Sequence, residues 1–326
     1  MYGANKKILN LLILKILQEH TDAKHRLTQG EIIRLLQLQY GITCDRRSVR
    51  SNIQSLQDIG YEIATHGGCW LVERDFDDAE LRMLIDSVLF SRTLSTAQAK
   101  RLIGKLKSFG NRYFHAKVAH ISNLPELSHA DNKQVMIVLD VLNDAIEEKR
   151  KVRFTYNTYG TDFKLHPKRS KPYIVNPYQL VANNGWYYLI GNYDKYDNVS
   201  HYRVDRITAI EMLSDAAKPK SVVREFARGF SLPRHMAEHI YMFGGESVTV
   251  KMRANTSMMD ALVDWFGKDF RIIQEDADEL IVSVVCNEMA MKYWALQYGE
   301  YVEVLEPKSL RDDICDAVDW MRKKYK

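Results

Sequence analysis

Hydrophobic positions change period several times along this chain, and each change marks an element. Residues 6–20 place Ile8, Leu11, Leu12 and Ile16 at helical spacing with Lys15 among them, which predicts a first helix. Thr28-Gln29-Gly30-Glu31 has the form of a capping box, in which a Thr hydroxyl takes the N3 amide while Glu31 reaches back. It opens a second helix running to Gln39, with Ile32, Leu35, Leu36 and Leu38 as the apolar set. Gly41 supplies a left-handed turn, and Thr43 is expected to cap a third helix with Asp45 near the positive end of its dipole. In that helix Val49, Ile53 and Leu56 recur at helical spacing, which turns them inward and leaves Arg46, Arg47, Ser48, Arg50 and Asn52 outward. Residues 61–63 and 69–72 then flank His66-Gly67-Gly68 as a hairpin, so residues 1–72 read as a winged helix-turn-helix.

Residues 73–130 remain helical and charged. Leu81, Leu84, Ile85, Val88 and Leu89 form one stripe, and Ser95-Thr96-Ala97-Gln98 is a second capping box before Leu102, Leu106 and Phe109. Residues 122–132, with Pro125 and His129, read as a boundary loop. The section 131–215 opens with a helix over 133–149 whose face is Ile137, Val138, Val141, Leu142 and Ile146. Five short strand-like segments follow at 152–156, 162–166, 173–181, 186–191 and 201–207, the spacing of a small antiparallel barrel. After a connecting segment at 216–245, residues 246–326 alternate as βαββαβ with a closing helix at 310–325, the order of a ferredoxin-like unit. The fold class is therefore multi-domain α+β.

Composition narrows the setting. A net charge of +4 is too mild to demand a nucleic-acid partner, and residues 1–72 hold nine Lys/Arg against six Asp/Glu. Cys44, Cys69, Cys286 and Cys315 lie far apart with no CxxC pair, which suits free thiols in a reducing compartment. The apolar run from Ile8 to Leu17 is broken by Asn10 and Lys15, too short for a bilayer, and lacks a signal-peptide cleavage region. A cytoplasmic protein with no membrane partner is expected, and no cofactor is called for.

Two constellations carry chemistry. Arg46, Arg47 and Arg50 stand at the N-terminal end of the third helix, where a recognition helix meets base edges; Thr43, Ser48 and Asn52 join them as candidate DNA contacts. In the barrel, Arg153, His166, His201, Arg203 and Arg206 supply positive donors beside Tyr156 and Tyr187. Arginine forks with aromatic faces suit phosphate and a stacked base, hence a nucleotide or short single strand. Strict alternation puts His201, Arg203 and Asp205 on one strand face and Arg206 on the other. Either a bulge or the strand end reorients Arg206, or one arginine alone faces the pocket. The competing reading is structural: Asp205 pairs with Arg203 or Arg206, and His166 is a satisfied core histidine.

The run Gly185-Trp186-Tyr187-Tyr188-Leu189-Ile190-Gly191, followed by Tyr202-Arg203-Val204-Asp205-Arg206-Ile207, resembles the WYL-domain proteins, here with one extra tyrosine in the motif. The resemblance extends through residues 149–156, His166-Pro167 and Asn176-Pro177-Tyr178, and Arg46-Arg47-Ser48-Val49-Arg50-Ser51-Asn52-Ile53 is similar to the family's recognition-helix pattern, with Ser48 for Thr and Asn52 for Asp. It implies a bacterial transcriptional regulator with an Sm-like, SH3-type sensor barrel, nucleic-acid or nucleotide-like effectors and a C-terminal WCX-type extension.

No G-x-S-x-G, phosphate-binding loop, G-x-G-x-x-G or H-E-x-x-H occurs, so no enzyme is expected. The reading is a ligand-responsive regulator, a homodimer bound to a double-stranded operator. The alternative is an RNA- or single-strand-binding accessory protein of a defence system, whose working surface is the barrel.

Overall fold

The computed structural model describes residues 8–118, 134–227 and 229–326, and the chain divides into two compact units, residues 1–131 and 132–326. The expected boundary loop at 122–132 lies outside the described residues.

In the first unit α1 (Leu9–His20), α2 (Gln29–Tyr40) and α3 (Arg46–Asp58) enclose one core with the hairpin of β1 (Ile63–Ala64) and β2 (Trp70–Leu71). The Thr28 capping box forms as expected, and Gly41 takes φ +67° at the end of α2. Leu38 departs from its assignment, standing 68% exposed, while Ile32 and Leu36 supply the buried face. Arg74 closes α1 from afar: its guanidinium donates to the carbonyls of Gln18 (2.8 Å) and Leu17 (3.3 Å), the latter also taking the Thr21 amide. The hairpin turns at Gly67 and Gly68, both at positive φ; a Cβ on Gly68 would lie 2.8 Å from that of Arg26.

Thr43 does not cap α3. The cap is Asp45, whose carboxylate accepts from the Ser48 amide at 2.7 Å, because the extended chain after Gly41 runs two residues further before the helix begins. Asp45→Ala is expected to lower the stability of this unit by about 1 kcal/mol and Thr43→Ala by less than about 0.5 kcal/mol, read by urea denaturation. The unit continues with α4 (Asp78–Phe90), α5 (Thr96–Lys107) and α6 (Arg112–Lys117). Leu81, Ile85 and Leu89 of α4 bury against Phe114 of α6, and Asp77 caps α4 just before the expected start.

The second unit begins with α7 (Val135–Glu147). Its buried face is Val135, Val138, Leu142 and Ala145; Ile137 is turned out, 61% exposed. Below it lies a curled six-stranded antiparallel sheet of β3 (Arg150–Tyr159), β4 (Leu165–Pro167), β5 (Tyr173–Asn183), β6 (Trp186–Tyr193), β7 (Ser200–Arg203) and β8 (Ile207–Ala216). Strands run in the order β4-β3-β5-β6-β7, with β8 pairing β3. The segment expected as one strand over 201–207 is three pieces: β7, a 3-10 turn at Val204–Arg206, and the start of β8, which the sequence reading missed. Val204 and Ile207 anchor that turn in the core with Phe154, Val175 and Leu189.

Two short helices, α8 (Arg224–Ala227) and α9 (Leu232–Glu238), pack with Tyr178, Tyr188 and Ile190 on the outer side of β5 and β6. They lead to β9 (Ser247–Asn255), α10 (Met259–Phe266), β10 (Arg271–Glu275), β11 (Glu279–Asn287), α11 (Glu288–Gln297), β12 (Val302–Glu306) and α12 (Lys308–Lys324). These four strands are ordered β10-β11-β9-β12, every pair antiparallel, around a core holding Trp294 and Phe266. No helix among the described residues is long and apolar enough to cross a membrane.

Candidate functional site

On α3 the periodicity separates two faces. Val49, Ile53 and Leu56 are buried, whereas Arg46, Arg47 and Arg50 are exposed. None of the three arginines pairs with a carboxylate among the described residues; the ion pairs nearest in sequence are His25–Asp22 and Arg82–Asp86. Ser48 is half-buried. Asn52 spends its amide within the helix, donating to the Ser48 carbonyl at 2.8 Å, and Thr43 is exposed in the preceding segment.

The second site lies where β6 and β7 pair. Register sets Tyr188 opposite Arg203 and Ile190 opposite His201, and two-residue alternation puts Trp186 on the same face as Tyr188. The Arg203 guanidinium carbon lies over the Trp186 ring, 3.4 Å from its centroid, and its Nε and Nη2 donate to the Asp205 carboxylate at 3.0 and 2.9 Å. The pairing is possible because the chain leaves the strand at Val204 and folds Asp205 back under it. Arg203 is thus braced by Trp186 and Asp205.

The same turn brings Arg206 around. Its Nε is buried and has no hydrogen-bond partner among the described residues, an arrangement that natural proteins seldom leave unanswered. Tyr156 accepts the Arg203 backbone N–H at 3.1 Å, which leaves its own proton to donate. Burial pushes the Tyr156 and Tyr188 hydroxyls above the usual tyrosine range, with Arg203 and Arg206 opposing, so both remain O–H donors at neutral pH. Tyr156, Tyr188 and Arg206 therefore have donor capacity for an anion, while Arg203 spends two of its five N–H groups on the Asp205 brace.

Several expected members stand elsewhere. Arg153 lies on the strand face opposite Phe154 and pairs with Glu211 of β8. His166 is exposed on the β3–β4 hairpin, its Nε2 2.9 Å from Asp162. Tyr187 points to the opposite face from Trp186 and Tyr188 and is partly exposed. His201 joins two histidines that the sequence reading did not single out. Its Nε2 lies 2.8 Å from that of His235, and the rings of His201, His235 and His239 sit 4.2–5.1 Å apart. Nδ1 of His239 donates to the Phe243 carbonyl at 2.9 Å. Burial drives His201 and His235 down to about 3 and lowers His239 as well, so the cluster is neutral. It ties β7 to α9, and no group of three or more His, Cys, Asp or Glu among the described residues is arranged to hold a metal ion. Trp186 and Tyr188 were legible from alternation as same-face neighbours; His235 and His239 carry no local signal beyond i, i+4 spacing.

A model of the WYL domain matches residues 137–212, and one of the WCX domain matches residues 233–321. No curated protein shows a significant match. Among solved structures, proteasome accessory factor B/C (PafBC) of Arthrobacter aurescens is 16% identical over 97% of this chain and 48% of that one, with a TM-score of 0.31. The chain thus spans about half the length of that protein, 48% of it. A CRISPR Cas-related protein is 14% identical over 98% of this chain and 84% of its own, with a TM-score of 0.40. The Trp186–Leu189 motif lies inside the first matched segment, and the chain carries a WYL domain with a WCX domain behind it.

Proposed function

We propose that the chain is a ligand-responsive, DNA-binding transcriptional regulator that acts as a cytoplasmic homodimer. A winged helix-turn-helix (1–72) reads a double-stranded operator and a helical linker (73–130) follows. An SH3- or Sm-like barrel (131–215) senses a nucleotide or single-stranded nucleic acid. A connecting segment (216–245) then leads to a ferredoxin-like WCX domain (246–326). The observation that carries this reading is α3, whose apolar face is buried while Arg46, Arg47 and Arg50 stand exposed together at its N-terminal half. Arginine forks at that position meet guanine O6 and N7, each good pair giving about 1–3 kcal/mol of discrimination.

The barrel supports the sensing half. An anionic oxygen near Tyr156 and Tyr188 would answer the buried Nε of Arg206, and an aromatic base has Trp186 and Tyr188 nearby. Regulation requires that the effector bind the DNA-competent and incompetent states unequally. The test is a titration of randomised duplex and of single-stranded oligonucleotides against the full chain and its Arg46→Ala/Arg47→Ala/Arg50→Ala variant. Selection of a duplex motif that the variant loses supports the regulator. Single-strand binding with no duplex preference, unchanged in the variant, makes the barrel the working surface and favours an accessory binder.

A further inference from the structure

The β3–β4 hairpin holds a feature that the site above leaves unexplained. Phe163 stands at its tip with φ +60° and is 83% exposed. A bulky L-residue rarely takes left-handed backbone, and glycine or asparagine would make the same turn without strain. The ring also meets water instead of a core. Around it, residues 162–171 contain Lys164, Lys168, Arg169 and Lys171 against Asp162 alone, four cations less one acid, or +3. Asp162 is engaged by His166, and the barrel's other ion pairs take Lys151, Arg153 and Arg203. The ammonium groups of Lys164, Lys168 and Lys171 have no carboxylate partner among the described residues and are exposed.

The hairpin is firmly rooted, and its roots touch the Arg206 site. Arg169 donates to the carbonyls of Lys171 and Pro172, and to the Tyr193 hydroxyl, while lying 3.4 Å over the Tyr173 ring. Asn157 donates to the Arg206 carbonyl at 2.9 Å, and the Lys168 amide donates to the Tyr156 carbonyl at 2.9 Å. From the Asn157–Pro167 pair to the tip, four residues of extended chain span on the order of 13 Å. One ligand touches both the Arg206 site and the tip only if it is a strand of several nucleotides.

We propose that this hairpin is a second binding element for single-stranded nucleic acid: a base stacks on Phe163, and Lys164, Lys168 and Lys171 meet the phosphates of a strand whose other end lies at Arg206. The proposal rests on the reading of the barrel as a nucleic-acid site, and it selects a strand over a mononucleotide as the ligand. Stacking on an exposed aromatic tolerates any base, so length and not sequence governs affinity here.

The test measures anisotropy of a labelled thymidine dinucleotide and octanucleotide against the full chain, Phe163→Ala and Phe163→Gly. The octanucleotide is expected to bind wild type more tightly than the dinucleotide, and Phe163→Ala to lose about tenfold for the octanucleotide and nothing for the dinucleotide. Phe163→Gly should show the same loss while melting at a higher temperature than Phe163→Ala, because glycine relieves the backbone; weakened binding then cannot be ascribed to unfolding. Octanucleotide affinity unchanged in Phe163→Ala, with dinucleotide binding intact, overturns the hairpin proposal alone. A wild-type chain that binds neither oligomer overturns the barrel reading, and the hairpin proposal with it.

Discussion

Asp205→Ala is expected to destabilise the second unit by about 3–5 kcal/mol, the cost of removing one partner of a buried ion pair. The Asp205 side chain is fully buried and that of Arg203 is 19% exposed, so solvent screens the pair little. Without the carboxylate, Arg203 keeps its stack on Trp186 but loses both hydrogen bonds, in a position that β7 and the 3-10 turn do not let it leave. A double variant, Arg203→Met/Asp205→Leu, should recover most of the loss, because apolar groups of similar volume need no partner. Urea unfolding of wild type, single and double variants reads the effect. Asp205→Ala within about 1 kcal/mol of wild type would show that the pair does not brace the turn.

Acidification should produce the second large effect. In the unfolded chain histidine takes a proton near 6.5, whereas in the fold His201 and His235 do so only near 3. Their folded-state values are depressed, so between those limits the unfolded chain holds more protons and stability falls as pH falls. It is fully present above about 6.5 and declines by about 1.4 kcal/mol per pH unit for each group. At pH 5.5 the two together lose about 3 kcal/mol relative to pH 7.5, and His239, shifted in the same direction, adds to this. Glu238 and Glu225 face His239 and partly offset its burial, and Arg234 in turn pairs with Glu238. For a unit of this size the melting temperature should drop by about 6–12 °C, and His235→Gln should roughly halve the drop. An equal melting temperature at both pH values would mean that the cluster is not held neutral.

What the sequence disclosed depended on whether local chemistry or distant contact decided the position. The Thr28 and Ser95 capping boxes and the Gly41 turn are local bargains between a side chain and its own backbone, and they formed where expected. Thr43 and Asp45 both satisfy the cap chemistry, and only the path after Gly41 chose between them. The face of α7 was misjudged because Val135, Ile137, Val138 and Val141 are all apolar, so periodicity alone cannot set the rotation; the sheet beneath does. At the Arg203 site, alternation held as far as the strand ran. It failed at Val204, an ordinary β-branched residue whose burial in the core marks a 3-10 turn that no turn residue announced. That turn pairs Asp205 with Arg203, as the competing structural reading had it, and leaves the buried Nε of Arg206 unanswered. His201 looked like a pocket residue because its partners, His235 and His239, arrive from α9 more than thirty residues later.

If α3 reads duplex DNA, the full chain and Arg46→Ala/Arg47→Ala/Arg50→Ala differ in affinity for a duplex selected from random sequence, measured across a salt series. Binding by wild type with loss of specificity in the variant, and a log–log salt slope shallower by about 0.9 for each arginine that met a phosphate, is the expected result. Equal affinity and equal slope for the two proteins would contradict it.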